Sequence, residues 1–208
     1  MLGIHDYGLF VLAGVLLNLT PGQDTFYILG SSIARGRRIG IASALGICSG
    51  CIVHTFAAAA GLSAILAASS AAFVAVKLAG AAYLIYLGIR YLRTRDDGLP
   101  AAGPVSPDAW KAFRQGVLTN VLNPKVALFF LAFLPQFIDP ESTTKIAAFV
   151  ALGLTFIASG TAWCLFLAVA AASVRRFFIG HPRAFTRLSQ AAGALFVGLG
   201  VRLALSER

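Results

Sequence analysis

The sequence has few charged residues. Only 12% of its 208 residues are Asp, Glu, Lys or Arg, whereas 58% are hydrophobic and the mean hydropathy is +0.82. A chain this poor in charge has far more apolar surface than one soluble core could hide. The composition therefore excludes an ordinary soluble domain and predicts an integral membrane protein.

Several motifs are missing. No GxxxxGK[ST] sequence is present to cradle a nucleotide, which argues against a self-contained ATP-driven pump, and HExxH and paired intramembrane aspartates are absent as well. The three cysteines, Cys48, Cys51 and Cys164, are expected to be reduced, small apolar side chains and not a disulfide framework. Although Cys48, Cys51 and His54 are regularly spaced, they lack a fourth ligand, so we predict neither a metal site nor a cofactor.

Acidic residues are also scarce, with 8 against 17 basic ones and a net charge of +9. The basic residues lie in short segments between apolar runs and do not follow one face, so nucleic-acid binding is not expected. The first apolar run has no basic segment before it, and we expect it to remain in the mature protein.

Six continuous apolar runs are long enough to cross a bilayer as helices, which rise about 1.5 Å per residue through a core of roughly 30 Å. Because the runs are continuous and not alternating, strands are not expected. The sequence therefore predicts an all-α protein with six transmembrane helices, at residues 7–33, 39–68, 71–92, 115–138, 146–174 and 185–205.

The basic residues predict the orientation in the membrane. Twelve of the seventeen Lys and Arg flank the gaps after spans one, three and five. They are Arg35, Arg37, Arg38, Arg90, Arg93, Arg95, Lys111, Arg114, Arg175, Arg176, Arg183 and Arg187. The positive-inside rule then places both termini outside, on the side of the membrane opposite the cytoplasm. The longest polar stretch is interpreted as a cytoplasmic linker at 94–112, between a three-helix repeat at 1–93 and a second at 113–208.

The two halves resemble each other. The sequence GVLLN at 14–18 is echoed by GVLTN at 116–120, and each motif is followed within a few residues by a proline. The pattern AGAAY at 79–83, followed by LGIR, is echoed by AGALF at 192–196, followed by LGVR. Since each half has three spans, the second must run opposite to the first, which predicts two inverted repeats of the kind common in secondary transporters.

One charge interrupts the first span. Asp24 follows Thr20, Pro21, Gly22 and Gln23 in a run that is otherwise uncharged from residue 7 to 34. A charge at the bilayer centre costs roughly 2.5 to 3.5 kcal/mol, so it normally faces a protected interior and binds something. Thr20 as N-cap, Pro21 as first helical residue and Gln23 at the third position predict that a new half-helix begins there, which breaks the first helix at proline.

The fourth span has a matching break. Asn123 before Pro124 repeats the cap-plus-proline arrangement, and Lys125 follows it. Two half-helix amino ends meeting at the repeat interface would attract a substrate carboxylate, to which Lys125 adds a full positive charge. Asp24 would take the substrate ammonium, or a proton when the site is empty. The alternative is a structural ion pair between Asp24 and Lys125.

These motifs resemble the LysE/RhtB family of amino-acid exporters. The resemblance rests on residues 20–24, on GAAYL from 80 through Gly88, and on Asn123-Pro124-Lys125 leading to FLPQF at 133–137. It implies a bacterial inner-membrane carrier that expels amino acids or close derivatives with the proton-motive force. Members of the RhtB branch usually carry a proline where this chain has Gln23.

Other polar residues of the spans complete the candidate site. Asn18 and Asn120 are expected to face the interior, where they would bond either a broken backbone or substrate. His54 follows Gly46 and Gly50 on a stripe that lets another helix approach closely, and it is either a proton relay or a hydrogen-bonded interior group. The candidate substrate-binding or proton-coupling residues are Asp24, Lys125, Asn18, Asn120, Asn123, Thr20, Gln23 and His54, with helix breaks at Pro21, Gly22 and Pro124.

The sequence thus predicts a secondary transporter that exports neutral amino acids, or close derivatives resembling threonine, homoserine or leucine, by proton antiport. Its expected partners are the lipid bilayer, a small zwitterionic substrate and protons, and a chain this small could form a homodimer. The alternatives are an exporter of basic amino acids or metal ions, and a membrane protein that does not transport. An intramembrane enzyme would need a second strong catalytic group beside Asp24.

Overall fold

The computed structural model describes residues 2–62, 70–93 and 107–205. Most of the predicted linker, residues 94–106, lies outside the described residues, and the part that is described already contains the start of a helix. The helices are α1 (Tyr7–Leu19), α2 (Gln23–Arg35), α3 (Arg37–Ala57), α4 (Ser70–Leu92), α5 (Ala109–Val121), α6 (Pro124–Leu128), α7 (Lys145–Gly180) and α8 (Pro182–Leu205). A π-helical turn, Ala58–Leu62, extends α3, and the turns Phe129–Phe133 and Leu134–Phe137 extend α6.

Within the described residues, three helical segments are long and apolar enough to cross a membrane: Arg37–Gly61, Lys145–Ala171 and Thr186–Leu205. A fourth span results if Ala109–Val121 and Pro124–Phe137, which meet at 48°, are one broken helix. Two shorter apolar helices, Tyr7–Leu19 and Leu78–Leu92, accompany them. Large apolar side chains such as Phe56, Leu122 and Leu154 are exposed on the outside of the bundle. The chain is therefore an all-helical, multi-pass membrane protein, and the count of six spans stays a prediction.

The first helix break differs from the predicted one. Thr20 does not cap the second half-helix, because its hydroxyl donates back to the Leu16 carbonyl at 2.6 Å and its backbone N–H does the same at 2.9 Å. It therefore closes α1. The helix α2 begins at Gln23. The residue before it is Gly22, which has no side chain with which to cap the helix. The predicted capping box is wrong because the Thr20 hydroxyl finds its nearest acceptor in the preceding turn.

At the second break, Leu122 and Asn123 separate α5 from α6. The Asn123 side chain accepts a hydrogen bond from the Lys125 backbone N–H at 3.0 Å, and Pro124 is the first residue of α6. A proline at this position loses nothing, since the first backbone N–H groups of a helix have no partner within the helix. The cap sets the direction in which the chain leaves the break and thereby the position of Lys125.

Small residues bring α3 and α5 into close contact. A Cβ on Gly46 would collide with the backbone carbonyl of Phe113, and one on Gly116 would lie 2.6 Å from the Ser43 carbonyl. A Cβ on Gly50 would lie 2.7 Å from the Asn120 side chain. The close approach that the Gly46 and Gly50 stripe predicts is therefore present, and its partner is α5.

This contact predicts a difference between two glycine substitutions. Gly46→Ala places its methyl group against the rigid backbone of α5, so we expect a loss of about 1–3 kcal/mol in stability through overpacking. Gly198→Ala has open space around it and should be neutral or stabilise by roughly 0.5–1 kcal/mol. Thermal unfolding of both variants in detergent measures the difference, and equal melting temperatures would contradict the contact.

Aromatic side chains fill the region beside the second break. Phe129, Phe130, Phe133 and Phe137 are at most 2% exposed and pack on one another and on neighbouring rings, with centroids 4.8–6.1 Å apart. In this structure they form a packed core.

The amino-terminal segment ties three parts of the chain together at one end of the bundle. The His5 N–H donates to the Phe137 carbonyl at 3.0 Å, and the Asp139 N–H donates to the Gly3 carbonyl at 2.8 Å. Arg202, near the end of α8, donates to the Asp6 carboxylate at 2.7 Å and lowers the pKa of that group. The start of α1, the loop after α6 and the end of α8 therefore lie on the same side.

Candidate functional site

A small cavity of about 30 Å³ lies where the two helix breaks meet. It is lined by residues of α1, α2, α3, α5, α6 and α7, and it is large enough for at least one water molecule. Most of its wall is apolar. The side chains that bring polar or charged groups to it include Asn18, Asp24, Asn120, Lys125 and Trp163.

Asp24 is half used. It stands in the first turn of α2, where the positive end of the helix dipole favours a carboxylate. Its Oδ2 accepts a hydrogen bond from Asn120 Nδ2 at 2.8 Å. Its Oδ1 is buried and has no hydrogen-bond partner in the described part of the chain. A buried carboxylate oxygen without a partner is costly, so this atom is available to a donor that enters the cavity.

Asn120 holds Asp24 through a network of its own. Its side-chain oxygen accepts from the Cys51 thiol at 3.5 Å, and its backbone carbonyl lies 3.1 Å from His54 Nε2. The absence of a side chain at Gly50 makes room for the Asn120 amide. All the polar groups of the Asn120 side chain are thereby engaged within the protein, so the residue orients Asp24.

Lys125 binds the end of the first half-helix. Its Nζ donates to the carbonyls of Thr20 at 3.0 Å and Leu17 at 3.2 Å, which are among the last carbonyls of α1 and have no partner in the helix. A Cβ on Gly22 would lie 3.2 Å from this Nζ, so the glycine leaves room for the ammonium. The ammonium of Lys125 therefore caps the carboxyl end of α1.

Asp24 and Lys125 line the same cavity without pairing. Among the described residues, the ion pairs within 4.0 Å are those of Asp6 with His5 and Arg202. Each of the two cavity charges is balanced by a helix end instead, Asp24 by the amino end of α2 and Lys125 by the carboxyl end of α1. The structural ion pair that sequence reasoning left open is not present here.

The remaining predicted residues surround the site without lining the cavity. Thr20 and Asn123 are buried, and they cap the end of α1 and the start of α6. His54 packs on Phe130, with 5.9 Å between ring centroids. Gln23 is exposed. Pro21 lies between α1 and α2, and Pro124 is the first residue of α6. Of the eleven predicted residues, the structure places Asn18, Asp24, Asn120 and Lys125 on the cavity wall, and Gly22 against the lysine.

Sequence reasoning missed the contribution of α7 to the wall. Trp163, Cys164 and Gly160 all line the cavity, and Cys48 and Cys51 face it from α3. The three thiols are free and buried. No local sequence signal distinguishes these residues from lipid-facing ones, because their direction depends on how α7 crosses α1 and α3. Within the described part of the chain, no group of three His, Cys, Asp or Glu could hold a metal ion.

Comparison with known proteins identifies the family. A model described as LysE type translocator matches residues 15–207. The chain belongs to this family. It is 30% identical over 205 residues to the leucine efflux protein of Klebsiella pneumoniae, covering 97% of this chain and 96% of the relative. It is 32% identical over 202 residues to the homoserine/homoserine lactone efflux protein of Salmonella typhimurium, covering 94% of each.

A membrane protein of Pseudomonas aeruginosa is 33% identical over 208 residues, covering 98% of this chain and 96% of the relative. No solved structure matches the chain. The resemblance to LysE/RhtB exporters that residues 20–24 and 123–125 carry is confirmed. Membership of this translocator family indicates a membrane transporter and not an enzyme.

Proposed function

We propose that this LysE family translocator exports neutral amino acids or close derivatives from the bacterial cytoplasm in exchange for protons. The observation that carries the proposal is the cavity between the helix breaks, in which a carboxylate and an ammonium face one small space without pairing. Two separated opposite charges match the ammonium and carboxyl groups of an α-amino acid. The relatives named for leucine and for homoserine export agree with a neutral substrate.

In this mechanism the free Oδ1 of Asp24 receives the substrate ammonium, while Asn120 keeps the carboxylate in place. Lys125 uses two of its three N–H groups on α1 carbonyls, which leaves one for the substrate carboxyl group. Asp24 is the only carboxylate among the residues that line the cavity. A basic amino acid would bring a second positive charge without a partner, and a divalent metal ion would lack ligands, so both alternatives are disfavoured.

The proposal includes two inverted three-helix repeats, and paired contacts support it. Gly50 of α3 packs on Asn120 of α5, while Gly160 of α7 packs on Asn18 of α1, and Asn18 and Asn120 occupy equivalent places in the two sequence echoes. Where α4 crosses α8, a Cβ on Gly88 would lie 2.7 Å from the Gly193 carbonyl, and one on Gly193 would lie 2.7 Å from the Gly88 carbonyl. Two equivalent contacts between the halves are what a pseudo-two-fold axis through the cavity would produce.

The two equivalent contacts differ in tightness, which fits alternating access. A Cβ on Gly50 would lie 2.7 Å from Asn120, whereas one on Gly160 would lie 3.3 Å from Asn18. In an inverted-repeat carrier, one repeat moves against the other around a fixed site. We infer that transport loosens the contact between α3 and α5 while α1 closes on α7.

Proton antiport requires a group that binds either a proton or the substrate ammonium, and Asp24 is placed for both. The positive-inside pattern and the clustering of the amino-terminal segment, the loop after α6 and the end of α8 favour periplasmic termini in the inner membrane. Export would therefore move the amino acid outward as a proton enters.

The test is export from bacterial cells that overproduce the protein and are loaded with leucine, threonine, homoserine, lysine or glutamate. We expect faster efflux of the neutral amino acids than from cells without the protein, and we expect an uncoupler to abolish the difference. Efflux of lysine alone would support a basic amino-acid exporter instead. If no amino acid leaves the cells faster, the proposed function is wrong.

A further inference from the structure

We propose that Trp163 is a substrate-binding residue whose indole N–H donates to the substrate carboxyl group, beside a groove that takes an aliphatic side chain. The inference rests on the proposed function and names a contact and a substrate class for the same site. It begins from a polar atom that the mechanism described above does not use.

Six buried side-chain polar atoms have no hydrogen-bond partner among the described residues. Only two of them belong to residues that line the cavity, Asp24 Oδ1 and Trp163 Nε1. One is an acceptor and the other is a donor. A buried N–H without a partner is rare in native structures because it forfeits its bond to water. A single ligand that both donates and accepts would satisfy the two atoms together.

An amino acid is such a ligand. With its ammonium at Asp24 Oδ1 and one carboxyl oxygen at the third N–H of Lys125, its second carboxyl oxygen remains to be placed, and Trp163 offers a neutral donor on the α7 side of the cavity. The indole is held by stacking on Phe166, with 5.4 Å between ring centroids. In the empty site this contact holds the indole at the cavity wall, from which it moves when the substrate enters.

The cavity of about 30 Å³ cannot hold a whole amino acid, but a larger space lies behind its wall. A groove of about 360 Å³ runs between α1 and α7. Asn18 and Trp163 line both spaces, so these two side chains are the partition between them. The groove is otherwise lined mainly by apolar side chains, including Val15, Leu19 and Phe166. A shift of the indole joins the spaces and gives an aliphatic side chain an apolar surface.

The experiment uses the purified full-length protein in liposomes and exploits the fact that the chain has only two tryptophans. Trp163→Phe keeps an aromatic ring and removes the N–H. Trp110→Phe is the matched control, because Trp110 is 63% exposed at the start of α5 and is not among the residues that line the cavity. The probes are leucine and isoamylamine, which is leucine without its carboxyl group.

We expect Trp163→Phe to raise the KM for leucine about tenfold with little change in kcat, because the substrate oxygen loses a donor in a buried site. Inhibition by isoamylamine should stay unchanged, since that amine has no oxygen to offer. Trp110→Phe should transport normally. In the Trp110→Phe protein, leucine should shift the fluorescence of the remaining Trp163, and isoamylamine should not.

The outcomes separate this inference from the proposed function. If wild-type protein transports leucine but Trp163→Phe does so with an unchanged KM, Trp163 is not a substrate contact. Equal weakening of leucine and isoamylamine would mean that the ring only packs, and this result would also overturn the carboxyl assignment. Failure of the wild-type protein to transport any amino acid would refute the proposed function instead.

Discussion

Replacement of Asp24 by Asn should reduce export by about 100-fold while the protein still reaches the membrane, since a charge-assisted hydrogen bond in a buried site is worth roughly 1.5–3 kcal/mol. The variant side chain keeps the shape of the carboxylate and can still accept from Asn120 Nδ2. What it loses is the negative charge at the unpaired Oδ1, and with it the site for an ammonium or a proton. Efflux of leucine from loaded cells, normalised to membrane-inserted protein, measures the loss.

Asp139→Asn is the matched control for this substitution. Asp139 lies in an exposed loop, and its carboxylate accepts from the Glu141 backbone N–H at 2.9 Å, a bond that Asn also makes. We expect full export from this variant. Full export by Asp24→Asn would remove Asp24 from both substrate binding and proton coupling, and a variant that fails to reach the membrane would identify a structural role.

Much of the site follows from local rules that act within a few residues. The charge at Asp24 and the prolines at 21 and 124 mark where a membrane helix cannot continue unchanged, and both breaks border the cavity. The glycine stripe on α3 predicts a close helix contact for the same reason, since only a small side chain lets two backbones meet. These features need no knowledge of the neighbouring helix.

The rest depends on how helices cross, which a single helix does not encode. The Thr20 hydroxyl could either cap the start of α2 or donate to the preceding turn of α1. It donates to the Leu16 carbonyl, because that carbonyl is already within reach in the preceding turn. Lys125 was expected to help two helix amino ends bind a carboxylate, yet it binds the carboxyl end of α1, a hundred residues earlier in the chain. The apolar sequence around Trp163 does not distinguish it from lipid-facing residues. Its place on the cavity wall depends on how α7 packs against α1 and α3.

The relation between the two cavity charges can be tested by removing them one at a time and together. We expect Lys125→Met to lower export at least tenfold, because two buried carbonyls of α1 lose their donor and each costs about 1–3 kcal/mol when left unpaired. Stability should fall as well, since the break between α1 and α2 loses its cap. Lys125→Arg keeps the charge and its donors and should retain more of both.

The double variant Asp24→Asn with Lys125→Met distinguishes substrate binding from ion pairing. If the two side chains neutralised each other, removing either alone would leave an uncompensated buried charge, and removing both would restore much of the stability. The structure balances each charge at a different helix end, so we expect no such rescue. The losses in melting temperature should add, while export stays as low as in Asp24→Asn alone. Recovery of stability or export in the double variant would show that the two charges pair with each other during the transport cycle.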